Sequence, residues 1–204
     1  MNLTQRFTQS SILKRVLWAY LFYVVLNLFS FAIGYFLLPE GALLNTPYSA
    51  LAEVAAQQTG LWLQFLSTVG FNLGFAFLLG VGLNLQRVNS FPTGYVVLFA
   101  AGIMSGLFAG TNSFVVQAIS PYTLEGWLVA LRIQHLELLG YTVIVASTIG
   151  VGIRDYSSWL PWKAKETKIQ NWCEIRLSRQ EVIGIVVGVF LILLAGYNET
   201  ILRF

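Results

Sequence analysis

The segment "LRIQHLELLG" brings Arg132, His135 and Glu137 within six residues. A cation, an imidazole and a carboxylate this close could relay a proton, hold a charged solute or form an ion pair. On a helix, Arg132 and His135 lie about 60° apart and Glu137 about 140° from Arg132, so one neighbouring helix cannot serve all three. His135 is the only histidine and Cys173 the only cysteine. The two fall in segments assigned below to opposite sides of a membrane, so they cannot form a nucleophile and its base. One histidine among scattered carboxylates lacks the clustering of a zinc site. The chain contains no HExxH, GxSxG or phosphate-binding glycine loop. The expectation is a protein that is not an enzyme and has no metal or cofactor.

The elements that must position these residues are long and apolar. Of 204 residues, 56% are hydrophobic and 10% charged. Runs of about 20 apolar residues recur, each long enough to cross a bilayer as a helix. They do not alternate as the strands of a membrane barrel would. The reading is an all-α polytopic membrane protein, a single integral domain over residues 1–204. It has about five spans: Val16–Leu38, Leu61–Leu83, Tyr95–Ile119, Gly126–Ile153 and Val182–Leu202. The first run is too long for a removable signal peptide and lacks a small-residue cleavage site.

Lysine and arginine set the orientation. Arg6, Lys14 and Arg15 precede the first run, Arg87 follows the second, and six basic residues lie in Arg154–Glu181. The bias puts the N-terminus in the cytoplasm and the C-terminus outside. The net charge of +3 therefore reflects topology and not nucleic-acid binding. Two loops have their own patterns. "NTPYSALAEVAAQQ" reads as a short outer helix with Thr46 as N-cap and Pro47 in its first turn. Arg154–Glu181 carries Trp159, Trp162 and Trp172 among its basic residues. With Ile169, Trp172 and Cys173 on one face, it predicts an amphipathic cytoplasmic helix lying on the lipid surface.

With this orientation, polar residues collect in the outer half of the spans: Asn72, Asn112, Arg132, His135, Glu137 and Glu199. Facing lipid, each would cost a few kcal/mol, on the order of the measured insertion penalties. They should face one another or a wet cavity. A buried ion pair of Arg132, with Glu199 or Glu125 nearest in depth, is one reading; a solute or proton site is the other. Gly102, Gly106 and Gly110 recur every four residues in the third span, a spacing that lets helix backbones approach closely. The stripe serves packing within one bundle or a dimer face, so a homo-oligomer is compatible with it.

The order of four features resembles the stage II sporulation protein M family of integral membrane proteins. The second span carries Asn72 in "STVGFNLGFAFLLGVGL", and a glycine-rich third span follows a short polar loop. "HLELLGYTVIVASTIGVG" opens with His135 and Glu137, and the last span ends in "AGYNETI" with Glu199. The likeness covers about Leu61 to Leu202. In that family the histidine and glutamate stand about one helical turn apart; here Leu136 alone separates them. The resemblance implies a membrane scaffold for envelope partners, since the family's named member supports cell-wall hydrolases during spore engulfment. The expected function is a scaffold or assembly factor in the cell membrane, with the bilayer and membrane or envelope proteins as partners. The rival is a small-solute transporter or channel using the outer polar pocket.

Overall fold

The computed structural model describes residues 3–8, 11–46, 60–114, 119–120 and 122–201. The long apolar runs are helical, the form in which a segment satisfies its own backbone polar groups. α1 (Leu3–Thr8) precedes α2 (Ile12–Leu37). α3 (Leu61–Gly74) continues through a π-helical stretch, Phe75–Val81, and a last turn, Gly82–Asn84. α4 covers Gly94–Gly110, α5 Leu124–Arg132, α6 Gln134–Ser147 and α7 Arg179–Thr200. Among the described residues, four helical segments are long and apolar enough to cross a membrane: Ile12–Leu37, Leu61–Asn84, Leu124–Ser147 and Arg179–Thr200. α4 is apolar but shorter, at 17 residues.

Two of the expected spans depart from their bounds. α4 stops at Gly110 and not at Ile119, because Asn112 turns left-handed (φ 49°). The Ser113 amide then donates to the Phe108 carbonyl (2.9 Å) and the Asn112 amide to Ala109 (3.2 Å), the paired bonds of a Schellman stop. Thr111, Asn112 and Ser113 therefore lie beyond the helix. The run expected as the fourth span starts where Thr123 accepts from the Gly126 amide (3.1 Å) as N-cap. It breaks at Ile133 (φ −113°, ψ −75°), between α5 and α6.

Arg154–Glu181 forms no amphipathic helix. It contributes β3 (Arg154–Tyr156) and β4 (Glu166–Lys168) to a small sheet with β1 (Gln86–Val88) and β2 (Phe91–Pro92), in the order β2-β1-β3-β4. The β1–β3 pair is parallel; the other two are antiparallel. Lateral pairing satisfies the backbone groups a helix would have satisfied internally, and Pro161 and Trp172 sit only in three-residue 3-10 turns. Asn89 and Ser90, both at positive φ, make the two-residue β1–β2 turn. Asp155 locks that turn, accepting from the Ser90 amide and hydroxyl at 3.1 Å. Trp159, Trp162 and Trp172 are all exposed, a composition suited to a membrane–water boundary. The short helix expected after Thr46 lies outside the described residues.

The chain forms two compact units. The first comprises Met1–Leu21, Leu73–Leu98 and Leu139–Phe190. It gathers the starts of α2, α4 and α7, the Gly82–Asn84 turn, the end of α6 and the sheet. α6 and α7 are antiparallel there: a Cβ on Gly188 would lie 2.6 Å from the Ile144 side chain, and Gly184 abuts Ser147. Phe7, Phe91 and Tyr95 pack their rings 5.5–6.1 Å apart.

The second unit comprises Phe22–Asn72, Phe99–Leu138 and Leu191–Phe204. It holds the ends of α2, α4 and α7, nearly all of α3, the whole of α5 and the start of α6. α2 and α4 run parallel in contact: Gly102 faces Tyr23, Gly106 faces Asn27, and Gly110 faces Phe31 and Gly34. Asn27 crosses this interface, donating to the Gly102 carbonyl (3.2 Å) and Ser105 Oγ (2.6 Å). Gly70 on α3 has nothing within 4 Å of the Cβ it lacks.

Candidate functional site

The break at Ile133 organises the polar residues of the second unit. Asn198 of α7 donates to the Arg132 carbonyl (2.9 Å), at the last residue of α5. A side-chain amide thus serves a backbone group where the helix is interrupted. Two residues earlier on α7, Gly196 lies against Val69 and Phe65 of α3. The end of α7 therefore touches both α3 and the α5–α6 break. His135 and Glu137 are half-buried on the first turn of α6, and the Arg132 side chain is exposed.

The structure does not bring Arg132 and Glu199 together as an ion pair. Glu199 is exposed and, among the described residues, has no hydrogen-bond or ion-pair partner. The contact passes one residue earlier, through Asn198, and reaches the backbone. Asn198→Ala should therefore lower stability by about 1 kcal/mol. Glu199→Gln should stay within about 0.5 kcal/mol of the parent. Thermal unfolding in detergent checks the order, and a larger loss at Glu199 would mean that the carboxylate holds the break.

Asn112 belongs to a different arrangement. Its amide donates to Glu40 (2.6 Å), and beside it the Gly41 amide donates to the Thr111 carbonyl (2.7 Å) and the Leu43 amide to Ser113 Oγ (3.1 Å). These bonds fasten the loop after α2 to the end of α4. Asn72 stands apart from both sets. It is 8% exposed, and among the described residues its side chain makes no hydrogen bond. Gln64 and Thr68 precede it at four-residue spacing, on one stripe of α3. A side-chain amide without a partner among the described residues is a group able to receive a ligand.

Sequence reasoning missed a second polar centre, in the first unit, at the C-terminal end of α6. Asn84, fully buried, donates to the Val145 carbonyl (2.9 Å) and Thr148 Oγ1 (3.0 Å) and accepts from the Gly94 amide (3.1 Å). Arg15 donates to the Ala146 carbonyl (3.1 Å) and Arg87 to Ile149 (2.7 Å). Gln170 takes the carbonyls of Gly150 (3.0 Å) and Gly152 (2.9 Å). Asn84 and Arg15 thus satisfy carbonyls that the helix end leaves unpaired, and Arg87 and Gln170 those of the residues that follow it. Both cations sit at the end where the helix dipole favours positive charge. Burial pulls the Arg87 guanidinium below its ordinary value, and Asp155 opposes that shift. Only position could have revealed this centre: Asn84 and Arg87 close the second run, and Arg15 opens the first.

No family model, curated protein or solved structure matches the chain. Among the described residues, no three His, Cys, Asp or Glu side chains are placed to hold a metal.

Proposed function

We propose that the chain is a five-pass integral membrane protein that acts without chemistry of its own, as a scaffold or assembly factor for membrane or envelope partners. The observation that carries this reading is where the polar side chains go. Asn27, Asn84, Asn112 and Asn198 are each engaged in joining one segment to another. The surface left over is broad and apolar: Val186, Phe190, Val25, Phe29 and Trp62 are all at least 61% exposed. Internal polar groups hold the bundle and apolar faces meet lipid or other membrane proteins, as a scaffold requires. The likeness to the stage II sporulation protein M family agrees with this role and rests on the order of its motifs.

The five-pass count takes α4 as the third crossing, at the lower end of spanning length. Direction supports it. α2, α4 and α7 each begin in the first unit and end in the second, while the second and fourth runs do the reverse. An odd number of crossings puts the termini on opposite sides, and the basic residues put the N-terminus in the cytoplasm. Cys173, the only cysteine, is exposed and gives a native reporter. A membrane-impermeant maleimide should label it only after intact cells are permeabilised. Labelling before permeabilisation would reverse the orientation.

The second reading, solute transport, is favoured by Asn72 and by the helix break beside His135 and Glu137. Interrupted helices are how transporters build sites. The two readings separate on one pair of measurements. Photo-crosslinkers at Phe29 and Phe190 should capture discrete partners in native membranes, and Asn72→Leu should leave that capture unchanged. Proteoliposomes that pass a solute, with passage abolished by Asn72→Leu, would support transport instead.

A further inference from the structure

The polar centre at the end of α6 carries more positive charge than its contacts account for. Arg15 is 9% exposed and makes one hydrogen bond, to a carbonyl. Arg87 is half-buried and likewise donates once, with Gly152 packed against its guanidinium. The Nε–H of each is buried without a partner. Among the described residues neither arginine forms an ion pair. The carboxylate felt by Arg87, Asp155, is committed to the Ser90 turn. A helix C-terminus offers about half a negative charge, against two full positive ones. Asp155 offsets the charge of half-buried Arg87 only in part, and Arg15 is buried with no ion-pair partner among the described residues, which is costly; the imbalance calls for an anion.

Position and chemistry narrow its class. Arg15 is the fourth residue of α2, Arg87 lies three residues past the end of the second run, and α6 ends at Ser147. In a membrane, these helix ends lie at headgroup depth. Guanidinium forks match phosphate oxygens, and basic pockets between helix ends are where anionic headgroups bind. We propose that Arg15 and Arg87 form a binding site for a phosphate group, supplied by an anionic membrane phospholipid. The proposal is independent of whether the protein is a scaffold or a transporter.

The test uses the full chain, purified in detergent and stripped of lipid. Thermal unfolding is measured with added phosphatidylglycerol, phosphatidylcholine or inorganic phosphate. Phosphatidylglycerol at a hundredfold excess over its Kd should raise Tm by roughly 5–10 °C. The shift should vanish in Arg87→Gln and persist in the double change Lys163→Gln, Lys165→Gln. Because Arg15→Gln removes a buried contact and could prevent folding, Arg87→Gln carries the result. Native mass spectrometry should show one phosphatidylglycerol retained by the parent and lost in that variant. A shift with inorganic phosphate alone, also lost in Arg87→Gln, would keep the phosphate site and overturn its lipid source. An equal shift with phosphatidylcholine, or a shift that survives Arg87→Gln, would overturn the proposal.

Discussion

Gly106→Leu should leave no monodisperse protein in detergent. The reason is a single close approach: a Cβ on Gly106 would fall on the Asn27 carbonyl oxygen and within 3.0 Å of the Phe31 amide nitrogen. Both obstacles are backbone, so no rotamer change makes room, and α2 and α4 must separate. Separation also breaks the Asn27 bonds to Gly102 and Ser105. Overpacking alone costs about 1–3 kcal/mol where side chains can adjust, and a backbone clash should exceed that range. Even Gly106→Ala should be severe. Gly70→Ala is the matched control, since its Cβ meets nothing within 4 Å and the site is exposed. Size-exclusion profiles and thermal unfolding of the three variants check the expectation. A stable Gly106→Leu would mean that α2 and α4 are not in contact at this crossing.

Asn84→Leu should be the most damaging change in the first unit. It removes three hydrogen bonds at a fully buried position, to Val145, Thr148 and Gly94. Orphaning a buried polar group costs about 1–3 kcal/mol, so the total should reach about 3–5 kcal/mol. The expected fall in Tm is roughly 10 °C. Asn84→Asp is the sharper probe. It keeps an acceptor for the Gly94 amide but turns an ionised oxygen toward the Val145 carbonyl. It should therefore be no better than leucine despite its shape. An aspartate variant as stable as the parent would show that the amide donors are unimportant.

Much of the architecture was legible because lipid imposes one simple rule on composition. Residues 12–37 and 179–200 read as helices from apolarity and length alone, with ends misplaced by a few residues. The end of α4 was misread for a local reason. Thr111, Asn112 and Ser113 are short enough to continue an apolar run, and the left-handed turn at Asn112 depends on bonds back to Phe108 and Ala109. The sheet was illegible because three-residue strands have no period, and β1 and β3 are fixed by each other and not by local pattern. The polar site was half legible. Depth along the spans singled out Asn72 and the Arg132–Glu137 stretch. Which partner each would take depends on angles about the helix axes. That is why Asn198, and not Glu199, reaches Arg132. Asn84 went unremarked, and Arg87 was read only for orientation, because polar residues at the end of a run look like ordinary boundary residues.

The parallel pairing of β1 with β3 has a consequence for synthesis. Gln86–Val88 can close its hairpin with Phe91–Pro92 as soon as both emerge. Its other edge must wait for Arg154–Tyr156, made only after α4, α5 and α6. At about 5–20 residues per second, that interval lasts roughly 3–13 s. Throughout it β1 presents unpaired N–H and C=O groups, with which another nascent chain could pair. Asn84 waits as well, since Val145 and Thr148 arrive in the same late segment. The first unit, whose earliest residues open the chain, thus cannot close until Leu139–Phe190 has been made, and translation pauses after Val88 would lengthen the exposure.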